Sequence, residues 1–215
     1  LGIGMIRVQL CNWPAQKSSM DQMIDAFRAQ GLKIFAEINY CTVNAPKSSW
    51  HQGFVDSGAG NAYAKAFAKA AGEMAAHFKG RVAYWEIWNE PDSPPNGGPQ
   101  NPDWDGACGA YSYGPAWGWG LCPKQLGVIT ANSYEKIRAA DPKARVVAGN
   151  VLFHGEDNWV GREYWRAVYQ SQRVQSYRNA HGKYPWDVVG IHPYNWAADE
   201  PAIELEMEGA CEALL

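Results

Sequence analysis

Five short apolar runs alternate with helix-forming stretches from end to end of this chain, a pattern that signals βα units around a parallel sheet. The runs are Met5 to Leu10, Lys33 to Asn39, Val82 to Trp88, Ala144 to Gly149 and Asp187 to Ile191. Between the first two, a capping box of Ser19 and Gln22 precedes Met20, Met23, Ile24 and Phe27 at helical spacing, and Gly31 stops the pattern. A second stripe, Tyr63, Phe67, Ala70, Met74 and Phe78, predicts a helix over 61–78. A third helix begins near Pro123, carries Leu126, Ile129, Tyr134 and Ile137, and ends before Pro142. A fourth holds Trp159, Tyr164, Trp165, Val168 and Tyr169, and a last one is expected over 202–215.

Side chains alternate across a strand, so each run divides into two faces. One face is apolar throughout: Ile6, Val8 and Leu10; Ile34, Ala36 and Ile38; Ala83, Trp85 and Ile87; Val189 and Ile191. The other repeatedly carries polar groups: Arg7 and Gln9; Glu37 and Asn39; Glu86, Trp88 and Glu90; His192 and Tyr194. The fourth run is the least clear, with Val146, Ala148 and Asn150 on one side. In an open doubly wound sheet both faces meet helices and both should be apolar. One polar face favours a barrel instead, with that face in the lumen and its last residues forming a site at the top.

The segment Asp92 to Pro123 breaks the rhythm. It is rich in Gly, Pro and Trp and directly follows the strand that ends in Glu90, where a long irregular stretch is usually functional. Cys108 and Cys122 lie within it, where a disulfide would restrict a loop, and Cys11 and Cys41 fall at the ends of consecutive strands. Cys211 reads as a small buried hydrophobe. The cysteines favour an extracellular or secreted setting, and they show no His-Cys spacing suggestive of zinc, so neither metal nor cofactor is expected. A net charge of −3 gives no field that would hold nucleic acid, and no window is long and apolar enough for a membrane span. Seven of the 11 tryptophans, Trp13 and Trp196 among them, come at or after strand ends; such rings suit the faces of sugars, although large aromatics also fill cores.

Cleaving a glycosidic bond requires a carboxylic acid that protonates the leaving oxygen and, in the retaining route, a second carboxylate that attacks the anomeric carbon from about 5 to 5.5 Å away. Glu90 suits the acid role: it ends a strand, with Trp88 before it and Pro91 after it, and desolvation keeps a carboxyl protonated nearer neutral pH. Asn89 can donate to a sugar 2-hydroxyl.

The run Trp85-Glu86-Ile87-Trp88-Asn89-Glu90-Pro91, together with Arg7, Ala36 to Tyr40 and His192-Pro193-Tyr194, resembles the (β/α)₈ glycoside hydrolases of clan A, particularly families 5 and 39. The resemblance implies an α/β fold, a TIM barrel that is incomplete here at about five βα units, strands two to six, with residues 1–215 as part of one catalytic domain. It further implies Glu90 as acid/base, Asn89 on the 2-hydroxyl, and Arg7, His192 and Tyr194 around the nucleophile and the sugar being cleaved. Asn39, Tyr40, Trp88, Trp13 and Trp196 complete the expected substrate-binding set. The expected substrate is a β-linked poly- or oligosaccharide.

In that clan the nucleophile is a glutamate ending strand seven. Glu204, Glu206 and Glu208 follow Tyr194 too closely, in a helical run, so the nucleophile is expected outside this chain, with the missing strands supplied by a longer chain or a partner chain. Glu37 is the internal rival for the second carboxylate. Arg7 could equally neutralise Glu37 or Glu86 inside the barrel, because buried carboxylates need partners. A catalytically inactive carbohydrate-binding barrel is the alternative function.

Overall fold

A computed structural model describes residues 2–92, 120–154 and 159–194. Strands β1 (Met5–Gln9), β2 (Lys33–Ile38), β3 (Tyr84–Asn89), β4 (Arg145–His154) and β5 (Val188–Tyr194) form one sheet, parallel throughout and ordered β1-β2-β3-β4-β5. Every strand lies beside its neighbour in sequence, so the order never reverses as it does at the switch point of a doubly wound sheet. This is the arrangement of a barrel wall, and among the described residues the wall does not close.

The helices are α1 (Lys17–Ala29), α2 (Ala62–His77), α3 (Pro123–Ala140), α4 (Trp159–Tyr169) and α5 (Gln172–His181). Local chemistry sets the starts of two of them. The Asn61 side chain caps α2 by accepting from the Ala64 amide at 2.9 Å, and Pro123 opens α3, where a missing N–H costs nothing. The expected capping box at Ser19 is not formed. Helix α1 starts at Lys17, which puts Ser19 within the first turn, and its hydroxyl donates back to the Gln16 carbonyl at 2.8 Å. The fourth predicted helix is α4, and a further helix that the pattern did not mark follows it: Asp56 accepts from the Ser171 hydroxyl at 2.5 Å and the Gln172 amide at 3.1 Å, which starts α5. The helix expected over 202–215 lies outside the described residues.

The apolar strand face is the one buried against the helices. Val8, Leu10, Ile34, Ala36, Ile38, Trp85, Ile87, Val146 and Ala148 pack with Met20 and Ile24 of α1, Phe67 and Met74 of α2, and Leu126 and Ile129 of α3. Burying each large side chain contributes about 1.5–3 kcal/mol, so this two-layer core supplies most of the stability. The Cys11–Cys41 disulfide ties the exits of β1 and β2, with Cα atoms 4.8 Å apart and 30 residues enclosed in sequence. Closing a loop of that length stabilises by about 3–4 kcal/mol in the chain-entropy account. Cys122 is also disulfide-bonded; its expected partner Cys108 lies outside the described residues, as does Cys211.

The described chain ends on either side of the segment after β3 meet at one point. The Leu121 amide donates to the Pro91 carbonyl at 2.7 Å, the Cys122 amide to His51 Nε2 at 3.0 Å, and the Tyr164 hydroxyl to the Leu121 carbonyl at 2.9 Å. Burial lowers His51 to about 4, so it stays neutral and accepts this hydrogen bond across the ordinary pH range.

On the outer surface, Asp21 of α1 meets His77 of α2 at 2.8 Å and Arg81 at 2.7 Å. Burial acts to raise the Asp21 carboxyl, but the hydrogen bonds from His77 and Arg81 outweigh it and hold the group below the ordinary carboxylate value. A lowered carboxyl stabilises the fold above its unfolded pKa of about 3.9, and that contribution is lost as pH falls through the folded value. Asp21→Asn is therefore expected to cost about 0.5–1 kcal/mol in urea unfolding at pH 7, the range for a pair that solvent still reaches. The gap to the parent protein should shrink as pH drops below about 4.

Candidate active site

Register brings the polar face together. Gln9 aligns with Glu37 and Glu37 with Glu86, so three polar residues from three strands stand at one level; one level below, Arg7 aligns with Phe35 and Phe35 with Tyr84. Phe35 and Tyr84 stack at 5.8 Å. Arg7 is long enough to reach the level above. Its guanidinium donates to both oxygens of Glu86 at 2.6 and 3.0 Å, lies 3.1 Å from Glu37 and donates to the Asn89 amide oxygen at 2.7 Å. The two readings of Arg7 as partner of Glu37 or of Glu86 are thus both realised.

Glu86 has no solvent exposure, and its other hydrogen bond comes from the Asn150 amide. Burial pushes its carboxyl up to about 7, against the hydrogen bond and charge of Arg7. Glu37 is 3% exposed, and it accepts from Gln9 at 3.1 Å and from Asn39 besides its contact with Arg7. Its oxygens are engaged in the sheet interior, which argues for a structural carboxylate.

Glu90 differs from both. It follows β3 directly, its side chain is 25% exposed, and its Oε1 lies 3.0 Å from His192 Nδ1. His192 belongs to β5, two strands away, so the pair spans β4. An imidazole at this distance can donate to the carboxylate or accept from the carboxylic acid, so the hydrogen bond survives a proton change on Glu90. The Glu90 amide donates to the Asn150 carbonyl at 2.9 Å.

The backbone at this exit is strained. Trp88 and Glu90 have φ of 74° and 47°, a region that L-residues seldom occupy and that costs of order 1–3 kcal/mol each. The left-handed turn at Trp88 breaks the strand alternation. Its indole is fully buried, edge-on to Trp50 at 5.0 Å and against Tyr63 and Phe67 of α2. This corrects the expectation that Trp88 binds substrate: no face of it is open to a ligand. Neighbouring strand β4 makes room with glycine, since a Cβ on Gly149 would stand 2.6 Å from the Ile87 carbonyl oxygen.

The other expected residues separate into groups. Asn89 and Tyr40 are half-exposed at strand ends, with Tyr40 stacked on Trp50 and edge-on to Trp88. Asn39 is fully buried, bonding Glu37 and accepting from the Cys41 amide at 2.9 Å, so it shapes the β2 exit rather than meeting a ligand. Trp13, expected among the substrate-binding residues, packs on His77 and Phe78 and donates to Glu73 at 3.1 Å, on the helical layer. Tyr194 ends β5, and its side chain lies outside the described atoms; Trp196 lies outside the described residues altogether.

Asn150 went unrecognised as a lumen residue because β4 bulges between Ala148 and Val151. The bulge changes which face Asn150 presents. The signal was the glycine pair, Gly149 beside it and Gly190 on the adjacent strand, since glycine inside a strand marks a bulge or a close approach.

The raised carboxyl of Glu86 generates a stability signature. Between about 4.5 and about 7 the folded state binds a proton that the unfolded state has released, so stability falls across that window by roughly 3 kcal/mol and is flat above it. Glu86→Gln is expected to remove the decline, as read from denaturant midpoints measured at intervals from pH 4 to pH 8. An unchanged slope in the variant would assign the titration elsewhere.

The sequence matches no protein-family model and no curated protein. The structure does match solved ones. A fungal β-1,4-galactanase superposes with a TM-score of 0.61 at 13% identity, over 98% of this chain and 59% of the galactanase. A family 10 xylanase from termite gut gives 0.59 at 20% identity, over 99% and 44%. A family 39 glycoside hydrolase from Bacteroides cellulosilyticus WH2 gives 0.54 at 19% identity, over 93% and 34%. The chain thus spans less than two thirds of each of these structures, and its fold is part of the (β/α)₈ barrel that the clan A glycoside hydrolases share.

Proposed function

We propose that this chain is part of the catalytic barrel of a retaining glycoside hydrolase acting on β-linked poly- or oligosaccharides, with Glu90 as its general acid/base. The observation that carries the reading is the placement of one partly exposed carboxylate at the carboxyl end of a barrel strand, hydrogen-bonded to His192. The buried carboxylates Glu37 and Glu86 are committed to Arg7. The likeness in fold to a galactanase, a xylanase and a family 39 hydrolase supports a sugar polymer as substrate.

In this mechanism Glu90 protonates the departing glycosidic oxygen while a second glutamate attacks the anomeric carbon from the opposite side. Glu90 then removes a proton from the water that releases the sugar. Asn89, with its oxygen held by Arg7, offers its NH₂ group to the sugar 2-hydroxyl. The nucleophile belongs to a strand beyond the five described, and the remaining strands pair with β1 and β5 to complete the wall. They come from the same polypeptide or from a partner chain. The disulfide between Cys11 and Cys41 supports a secreted protein, since such bonds persist in oxidising compartments.

In a protein carrying the complete barrel, Glu90→Gln is expected to lower turnover of substrates with poor leaving groups by about 10²–10⁴-fold. Activated aryl β-glycosides, which need little protonation, should suffer far less. Undiminished turnover on both classes would reject the assignment. Sugar-dependent quenching of tryptophan fluorescence without hydrolysis by the parent protein would instead identify a binding barrel.

A further inference from the structure

We propose that Asn150 is a positioning residue for Glu90, acting through both its backbone and its side chain; the inference rests on the acid/base reading of Glu90. Three observations converge on it. Its carbonyl accepts the Glu90 amide at 2.9 Å, directly at the residue held at φ 47°. Its side-chain amide donates to Glu86, which Arg7 grips with two hydrogen bonds while also holding Asn89 at 2.7 Å. And the space its side chain occupies is the space a Cβ on Gly190 would need, with the Asn150 amide oxygen the atom in the way.

The links form one path. Gly190 on β5 leaves a gap, the β4 bulge between Ala148 and Val151 swings Asn150 into it, and the amide is fastened to a fully buried carboxylate. A peptide carbonyl so anchored cannot drift, and the Glu90 amide bonded to it is fixed with it. A left-handed glutamate would otherwise relax toward an ordinary backbone conformation and move its carboxyl. The next strand adds the second fix, because His192 lies two residues beyond Gly190 and holds the Glu90 carboxyl at 3.0 Å. Asn150 therefore sets the backbone of the acid while His192 sets its head.

The test uses three variants of the protein with its complete barrel: Asn150→Ala, Gly190→Ala and the two combined. Asn150→Ala keeps the carbonyl but releases it; Gly190→Ala keeps every donor but evicts the amide. Each single change is expected to lower kcat by about 10–100-fold on substrates with poor leaving groups, the loss for a misplacement of about 1 Å, with KM changed less than about twofold. Loss on activated aryl glycosides should be small. The double variant should match Asn150→Ala rather than multiply the two losses, because the added methyl then has room.

Equal losses on good and poor leaving groups, or multiplied losses in the double variant, would overturn the proposal, as would full activity in Asn150→Ala. Glu90→Gln run alongside separates the two claims. If that variant shows no leaving-group dependence, the acid/base reading itself fails; if it does and the Asn150 variants do not, only the positioning role fails.

Discussion

One guanidinium holds the interior of this sheet together. Glu37 and Glu86 stand at the same register on adjacent strands, and two buried carboxylates so placed would repel and each would lack a counter-charge. Arg7, rising from the level below on β1, contacts both and extends to Asn89. Removing one partner of such a buried group is far costlier than never having built it, because the remaining charges are stranded. The polar lumen thus follows from a parallel register that sets a long cation one step beneath two acids.

The strained exit of β3 depends on that interior. Trp88 and Glu90 both adopt left-handed backbone, and each is held by something stronger than local preference: Trp88 by aromatic neighbours on two sides, Glu90 by hydrogen bonds to Asn150 and His192. Between them Asn89 is fixed by Arg7. Three consecutive residues are therefore aimed in three directions, Trp88 into the core, Asn89 toward Arg7 and Glu90 toward His192. A regular strand could aim them only two ways.

Strand faces and helix stripes were legible in the sequence because burial imposes periods of 2 and 3.6 on side-chain type, and here the apolar sets Ile6, Val8, Leu10 and Tyr63, Phe67, Met74 obey them. Glu90 was legible because it ends a strand in a distinctive run. What escaped were the departures from periodicity. Trp88 leaves its expected face through one dihedral angle, Asn150 enters the lumen through a bulge, and Trp13 turns onto α2 for a hydrogen bond to Glu73. Helix α5 escaped because Val174 and Tyr177 are its only buried residues among those described, too few to form a stripe. The Cys11–Cys41 bond links residues whose nearness comes from strand pairing, although their place just past two adjacent strands hinted at it.

The hydrogen bond between the Pro91 carbonyl and the Leu121 amide has an architectural consequence. The chain departs after Pro91 and is taken up again at Leu121 through a single doorway beside Glu90, and that junction is joined backbone to backbone. The join uses a carbonyl and an amide, so it makes no demand of its own on the side chains at either position.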